Sequence, residues 1–459
     1  MLNKKLLEEV LSKALSTGAD FAEVYVERTK ENNIFMINCK VDSVKDRLIS
    51  GVGIRILKGT RCVTGSTSSL ERGALLACAG QVADALEGVP ERMSVHLTER
   101  RFGDIHPIKI VPESASMQFK VDLLKEGCQA AAEYHQEISQ ATGNLLDFDH
   151  NILIANSDGL LAEDRQIRTR MIIDAVASAG GENQTGACRP GRRMGLEMFE
   201  KISPKDVGTE AARQAVTMLH AGYIQAGSMP VAIENGFGGV IFHEACGHSL
   251  EASCVSIGCS QFAGKLGQKV AGTKVTAIDD GTIPNAWGSF NIDDEGTPAE
   301  RKVLIENGIL KNYMIDKLNG RRMGMEGNGS CRRQGYQWVP TSRMSNTYID
   351  NGPDRNEDII QSIEYGLYAR NMGGGSVNPT TGAFNFSVLE GYIVRNGKIC
   401  EPVRGASLIG NGADIIMDID MVGNNMATGQ GMCGASSGSI PTDVGQPLIR
   451  VKSITVGGR

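Results

Sequence analysis

Glycine is the feature of this sequence that most restricts its fold. The chain contains 56 glycines among 459 residues, well above a typical share of about 7%, and most of them follow residue 225. Abundant glycine disfavours long helices and is typical of tight turns, bulges and close backbone approaches. We therefore expect the second half of the chain to consist mainly of strands and turns. The length predicts more than one domain.

Residue patterns before the glycine-rich part indicate two smaller units. Residues 1–90 begin with an amphipathic helix at 4–15, continue with alternating strands at 21–28, 33–44 and 51–59, and end in a second helix at 68–86. This order predicts a small N-terminal α+β domain. Residues 113–222 begin and end with predicted helices around two strands, and we expect them to form a central α/β domain. The stretch 91–112 is aperiodic and is interpreted as a linker.

The two helices of the central unit are predicted at 113–140 and 203–222. The first follows a Pro-Glu-Ser start signal, and the second has Ser203 as a cap before Pro204 in the first turn. The third unit, residues 228–459, is predicted to be β-rich. Asn-Gly pairs at 307–308 and 396–397 predict hairpin turns in it. The fold class expected for the whole chain is α+β.

Charge and composition exclude several classes of protein. The net charge is −6 and no basic block stands out, so nucleic acid is not expected as a partner. No run approaches the length of about 18 apolar residues that a membrane-spanning helix needs, and the charged N-terminal helix does not resemble a signal peptide. Eleven cysteines without a CxxC pair are typical of reduced thiols. We expect a cytoplasmic protein without a membrane partner.

The segment VIFHEACGHSLEA, residues 240–252, contains the strongest chemical signal. His243 precedes Glu244, and His248 follows five residues later. Two residues five apart on a regular helix are separated by about 500°, which leaves about 140° after one turn. Both imidazoles can reach one metal ion only if the helix widens locally, as in a π-bulge, or ends there. Gly247 stands where such a distortion costs least.

A third metal ligand has to come from another part of the chain. Cys433 lies in the segment GNNMATGQGMCGASSGSIPTDVGQP, and the surrounding glycines would allow its thiolate to approach a metal closely. Zinc accepts one cysteine together with two histidines at catalytic sites. Taken by itself, Cys433 is better interpreted as a small buried residue than as a ligand. Cys246, between the two histidines, is interpreted as a packed thiol.

These motifs resemble the TldD/PmbA metalloprotease family. The resemblance rests on the HExxxH motif, on the order of RMSNTYIDNG, GGGSVNPTTGAFNF, PVRGASLIGNG, GMCGASSG and SITVGG after it, and on GVGIRILKG near the N-terminus. It covers nearly the whole chain. Because the partner-type subunit usually lacks HExxxH, the chain resembles the TldD-type subunit.

The resemblance implies a zinc-dependent peptidase that trims small or unfolded peptides, with one Zn²⁺ for each active subunit. In the family pattern His243, His248 and Cys433 would hold the metal, and Glu244 would act as the general base. The family fold combines an N-terminal α+β part with a β-rich C-terminal part. Subunits of the family pair, so we expect a homodimer or a heterodimer with a PmbA/TldE-type subunit. The chain has CGASSGS where the family commonly has CGKxGQ, which leaves the contribution of that lysine in doubt.

Two other functions remain open from the sequence. The chain could be a non-catalytic or vestigial subunit of such an assembly, or a cysteine hydrolase that uses Cys246 or Cys433 with a histidine. The glycine-rich stretches 373–375 and 429–434 are candidate chamber walls or plain turns. Asn346 either orients substrate or makes a hydrogen bond at a strand end, and the second interpretation is favoured.

Overall fold

The computed structural model describes residues 2–86, 88–89, 93–378 and 381–458. The predicted linker 91–112 lies partly outside these residues. The elements up to residue 219 are α1 (Lys4–Ala14), β1 (Phe21–Ile37), β2 (Lys40–Lys58), β3 (Arg61–Thr67), α2 (Arg72–Asp84), β4 (Thr98–Glu99), α3 (Met117–Ala132), β5 (Ile138–Asn156), β6 (Leu160–Ala179), β7 (Glu182–Cys188), β8 (Gly191–Arg192) and α4 (Pro204–Leu219).

The remaining elements are short helices set among many strands. They are β9 (Gly222–Tyr223), β10 (Gly227–Ile233), α5 (Val240–Phe242), α6 (Ala252–Val255), β11 (Ala277–Asp280), β12 (Arg301–Glu306), β13 (Ile309–Leu310), α7 (Lys317–Met323), β14 (Cys331–Arg332), β15 (Thr341–Ser342), β16 (Asn346–Ile349), α8 (Asn356–Gln361), β17 (Tyr365–Val377), β18 (Ala383–Arg395), β19 (Lys398–Arg404), β20 (Ser407–Asn411), α9 (Gly412–Met417), β21 (Ile419–Val422), β22 (Ala427–Ala435), β23 (Gly438–Gln446) and β24 (Ile449–Gly457). The expected α+β class, with a β-rich C-terminal part, is confirmed.

One long sheet spans the first two predicted units. Its strands follow the order β3-β2-β1-β5-β6-β4, and β7 and β8 also pair with β6. The antiparallel pairing of β1 with β5, from Glu23 opposite Asn156 to Ile37 opposite Thr142, joins the N-terminal strands to the central ones. A single β-layer therefore connects residues that are more than a hundred positions apart in sequence.

Three predicted elements have different bounds in the structure. The helix predicted at 113–140 is confined to α3, which is capped by the side chain of Ser116 and ends at Ala132, and the residues from Ile138 onward form β5. Helix α2 begins at Arg72 rather than at 68. The stretch 33–44, predicted as one strand, is divided between β1 and β2 by a turn at Asn38 and Cys39, which both have positive φ. Helix α4 has the predicted Ser203 cap.

The C-terminal part contains two larger sheets. The first has the order β17-β10-β24-β20-β18-β19-β9, with β21 beside β24, and the second has the order β13-β12-β11-β16-β23-β22. Both predicted Asn-Gly hairpin turns are present, and Asn307, Gly308, Asn396 and Gly397 all have positive φ. Strand β22 lies at the edge of the second sheet.

The largest hydrophobic core lies between these two sheets. It includes α5 and the residues that follow it, among them Phe242 and Ala245, packed with Val231 and Ile449 of one sheet and Val444 of the other. The segment that carries His243 is thus buried at its beginning and anchored on both sides. Among the described residues, no helix is long and apolar enough to cross a membrane.

Candidate metal centre

The chain widens at the position where the histidine spacing requires it. Strand β10 is followed by a turn at Gly236, which has φ 71°, and then by α5. Residues His243–Gly247 form a single π-helical turn, and His248–Leu250 continue as a 3₁₀ turn. The wide turn rotates His248 toward His243, so that their ring centroids lie 5.2 Å apart at an angle of 81°.

Neighbouring segments pack closely against the π-turn. A Cβ atom on Gly247 would lie 2.3 Å from Sδ of Met344, so no larger residue fits there without displacement. The thiol of Cys246 is buried and lies 3.5 Å from the carbonyl oxygen of Gly412. Burial raises the pKa of Cys246. It therefore behaves as a packed thiol, and its environment does not favour a nucleophile.

Cys433 reaches the two histidines from strand β22. Its Sγ lies 3.2 Å from Nε2 of His243 and 3.3 Å from Nε2 of His248. The three potential ligand atoms lie within 4.8 Å of one another. His243 and Cys433 are buried, and the side chain of His248 is 13% exposed. The three residues named from the sequence as metal ligands are therefore brought to one point.

The cluster favours a charged thiolate. Burial alone would raise the pKa of Cys433, but the charges and hydrogen bonds of His243 and His248 lower it to about 3. Burial alone would lower the pKa of His248, but Glu251 and Cys433 raise it well above its usual value. A divalent cation at the same point would replace the protons on these groups, because thiolate and neutral imidazole are the forms that bind metals.

Glu244 lies at the edge of this cluster. Its side chain is 27% exposed, and Oε2 lies 3.7 Å from Nε2 of His248. Both residues line a cleft of about 360 Å³. The lining also includes Glu251, Arg343 and the smaller residues Ser376, Val377, Gly434, Ala435 and Ser436. A carboxylate, two imidazoles and a thiol therefore meet beside a space that a ligand can enter.

The other residues singled out from the sequence have different positions. Of the glycine-rich stretches, 429–434 contributes Gly434 to the cleft, whereas 373–375 lies within β17 just before Ser376. Asn346 is fully buried; it accepts a hydrogen bond from the backbone N–H of Gly288 and donates to the Asp280 carbonyl and to Ser289. The favoured interpretation of Asn346, as a structural hydrogen-bonding residue, agrees with these contacts.

Two buried residues at the centre were not found from the sequence. Glu251 lies 3.2 Å from Nδ1 of His248, and Arg343 donates a hydrogen bond to the carbonyl oxygen of Cys433. The position of Glu251 three residues after His248 was a usable signal, since such pairs share a helix face. No local pattern identifies Arg343.

The donor set fits a metal ion. Two imidazoles and one thiolate suit zinc, and three protein ligands would leave one coordination position for water or substrate. The same set also suits other transition metals. An additional feature is Nδ1 of His243, which is buried without a hydrogen-bond partner among the described residues.

Comparisons with known proteins agree with the fold. Family models match three consecutive stretches: PmbA/TldA metallopeptidase domain 1 at residues 22–86, the central domain at 110–219 and the C-terminal domain at 226–458. The chain is 34% identical to a metalloprotease TldD homolog of Haemophilus influenzae, over 96% of this chain and 93% of the relative. It is 33% identical to a TldD homolog of Buchnera aphidicola, with 98% and 95% covered.

Solved structures share the fold across the full length. A protein of Thermotoga maritima described as a putative modulator of a DNA gyrase has a TM-score of 0.81 at 21% identity, with 99% of this chain and 100% of that chain covered. TldE of Thermococcus kodakarensis has a TM-score of 0.77 at 19% identity, with 99% and 100% covered. Together with the full-length relatives and the three family models, these likenesses show that the chain belongs to the TldD/PmbA family.

Proposed function

We propose that this protein is a zinc-dependent metallopeptidase that cleaves small or unfolded peptides. The observation that carries the proposal is the convergence of His243 Nε2, His248 Nε2 and Cys433 Sγ within 4.8 Å, beside a cleft lined by Glu244. Relatives named metalloproteases support a peptidase. The proposed metal ligands are His243, His248 and Cys433, with one zinc ion for each chain.

Glu244 is the proposed general base. When bound, zinc supplies Lewis-acid activation of a water molecule and of the scissile carbonyl. The Glu244 carboxylate lies 3.7 Å from Nε2 of the proposed ligand His248, and it would take a proton from that water. Glu244 then holds the proton and delivers it to the amine of the leaving product. The partial exposure of Glu244 allows proton exchange with solvent between turnovers.

The walls of the cleft suit an extended peptide. Gly434, Ala435 and Ser436 form one wall at the end of β22 and its turn, and their small side chains leave room beside Cys433. Strand β22 lies at the edge of its sheet, and Trp287 and Arg343 already bind the carbonyl oxygens of Gly431 and Cys433. We therefore propose that a substrate pairs as an added strand only at the end of β22, from Gly434 onward. Pairing through the backbone places few demands on sequence. We therefore propose peptide substrates of broad sequence.

The experiment that tests the proposal compares wild type with Glu244→Gln. Zinc content is determined by elemental analysis, and hydrolysis is followed with a library of unstructured fluorogenic peptides. We expect about one zinc per chain in both proteins, and a loss of activity in the variant on the order of 10²–10⁴-fold, the usual contribution of a general base. Glu200→Gln, at a glutamate whose carboxylate lies 3.3 Å from Lys109 outside the cleft, is the matched control and should keep full activity.

Other outcomes identify the alternative functions. Full activity of Glu244→Gln with zinc bound would contradict the role of Glu244. Zinc binding without hydrolysis by wild type would indicate a non-catalytic subunit. Activity that survives chelation but is lost on thiol alkylation would indicate a cysteine hydrolase, with Cys433 as its nucleophile because its thiolate faces two imidazoles.

We further propose that the protein acts in the cytoplasm as a dimer, either with itself or with a PmbA/TldE-type subunit. The likeness to the fold of TldE from Thermococcus kodakarensis supports a pairing of this kind. Sedimentation of the purified chain, alone and mixed with a PmbA/TldE-type subunit from the same cells, distinguishes the two arrangements. A monomer under both conditions would contradict the proposal.

A further inference from the structure

We infer that Glu251 and Arg343 are positioning residues of the metal centre. Glu251 fixes the ring of His248, and Arg343 joins Glu251 to the hairpin that carries Cys433. The inference deepens the proposed function and depends on metal binding by His243, His248 and Cys433. Both residues also line the cleft, but their side chains contact His248 and the Cys433 hairpin, so we assign their action to the ligands they hold.

The two nitrogens of His248 face different partners. Nε2 lies 3.3 Å from Sγ of Cys433, and Nδ1 lies 3.2 Å from Oε2 of Glu251. A neutral imidazole that binds a metal through one nitrogen carries its proton on the other and donates it to an acceptor. The Glu251 carboxylate is such an acceptor, so it favours the tautomer in which the lone pair of Nε2 is free for the metal.

Burial makes the Glu251 carboxylate depend on a counter-charge. Its side chain is 5% exposed, and Oε1 has no hydrogen-bond partner among the described residues. The guanidinium of Arg343 supplies a positive charge on this side, with Nε 3.7 Å from Oε1. A buried charge without such a partner is costly. Arg343 thus supplies a partner charge for the buried Glu251 carboxylate beside His248.

The remaining donors of Arg343 bind the hairpin formed by β22 and β23. Nη2 donates to the carbonyl oxygen of Cys433 at 2.6 Å, and Nη1 donates to Oγ of Ser437 at 2.8 Å and to the carbonyl of Gly438 at 3.0 Å. Arg343 is completely buried. A single rigid guanidinium therefore connects the Cys433 strand with the carboxylate that orients His248.

His243 differs from His248 in this respect. Its Nδ1 has no partner in the part of the chain that the structure describes. The protein therefore orients one imidazole and the thiolate through a shared network and positions the other imidazole by packing. Removal of Glu251 should affect the metal through His248, while a purely structural ion pair would affect only the fold.

The test measures metal affinity separately from stability. Wild type, Glu251→Gln and Glu251→Ala are stripped of metal, and their melting temperatures are recorded. Their zinc affinities are then determined by competition with a chelator, and Co²⁺ is added to record visible spectra. The control is Asp164→Ala, which removes a buried carboxylate whose hydrogen-bond partners are Gln166, Arg193 and Asn291 and not the proposed ligands.

We expect Glu251→Ala to weaken zinc binding by about 10–100-fold, the usual effect of losing a carboxylate that holds a metal-binding histidine. The Co²⁺ spectrum should change as well. Glu251→Gln retains a neutral hydrogen-bond acceptor, so its loss of zinc affinity should be smaller. This variant also provides the test if Glu251→Ala does not fold. Asp164→Ala should lower the melting temperature of the metal-free protein and leave zinc affinity unchanged.

Unchanged zinc affinity in both Glu251 variants would overturn the inference, even if their melting temperatures fall. Failure of wild type to bind either metal would overturn the inference together with the proposed zinc site. If wild type binds zinc but hydrolyses no peptide, weaker zinc binding by the Glu251 variants would still uphold the inference. That result would contradict only the proposed peptidase activity.

Discussion

Gly247 illustrates how one residue permits the geometry of the proposed centre. It completes the π-turn just before His248, and Sδ of Met344 occupies the space that a side chain would need. Met344 is completely buried, so its side chain has little freedom to move away. The requirement for glycine here comes from packing, since Gly247 has an ordinary helical backbone with φ −56°.

Gly247→Ala should therefore destabilise the protein by about 1–3 kcal/mol, the usual cost of an added methyl group in a filled core. The measurement is the free energy of unfolding from urea titration of the metal-free protein. The double variant with Met344→Ala supplies the control, because the vacated space should accept the new methyl group and make the two effects non-additive. Additive effects, or a Gly247→Ala variant as stable as wild type, would show that the contact with Met344 does not exclude a side chain at position 247.

At the level of single residues, the sequence identified the candidate site residues that form a recognisable local motif. His243, Glu244 and His248 form a local motif, and the widened turn follows from the geometry of a helix. Cys433 was inferred from its glycine-rich surroundings and from the family pattern. Arg343 could not be inferred, because its contact with the Cys433 carbonyl crosses 90 residues of sequence.

At the level of elements, turns were more predictable than the ends of helices. The Asn-Gly hairpins depend on the φ values of two residues, which the sequence specifies directly. Helix α3 ends at Ala132, although the sequence remains compatible with a helix to 140. Residues from Ile138 onward join β5 because β1 and β6 offer backbone partners on both sides. This strand pairing is determined by the tertiary structure, which overrides the local preference for a helix.

His106 connects the irregular segment before α3 to the C-terminal part of the chain. Its ring is buried, and Nδ1 accepts a hydrogen bond of 3.0 Å from the backbone N–H of Asn285. Burial, together with the nearby charge of Arg193, lowers the pKa of His106 to about 3. The folded protein therefore holds a neutral imidazole at pH values where the unfolded chain takes up a proton.

This difference predicts how His106 affects stability with pH. Above the unfolded pKa of 6.5, both states are neutral and the contribution of His106 is fully present. As the pH falls toward 3, the unfolded state alone is protonated, and the contribution is lost at about 1.4 kcal/mol per pH unit. His106→Gln should remove this slope, so its stability relative to wild type should rise by about 2 kcal/mol between pH 6.5 and 5. Parallel unfolding free energies for the two proteins across this range would contradict the assignment.

On the scale of the whole molecule, buried ion pairs join the first sheet to the C-terminal part. Arg55 of β2 contacts Glu23 at 2.9 Å and Glu295 at 2.6 Å, and Arg333 contacts Glu23 at 2.5 Å. All four side chains are at most 3% exposed. The contact between Arg55 and Glu295 spans 240 residues. Sequence patterns identified the units on either side of this contact but gave no sign of it, because charged residues are expected at the surface.

Arg55→Ala should therefore weaken the whole fold rather than one element. It would leave the carboxylates of Glu23 and Glu295 buried with less compensation, and breaking a buried pair in this way costs about 3–5 kcal/mol. Arg189→Ala is the matched control: its partner Asp174 lies 2.8 Å away, but both side chains are exposed, and a surface pair of this kind contributes below about 1 kcal/mol. Denaturant unfolding, followed by far-UV circular dichroism and by tryptophan fluorescence, measures both variants. If the pairs hold the two parts together, the two signals of Arg55→Ala should separate into distinct transitions, because both tryptophans, Trp287 and Trp338, belong to the C-terminal part. Equal losses in the two variants would mean that packing, and not this charge network, joins the first sheet to the C-terminal part.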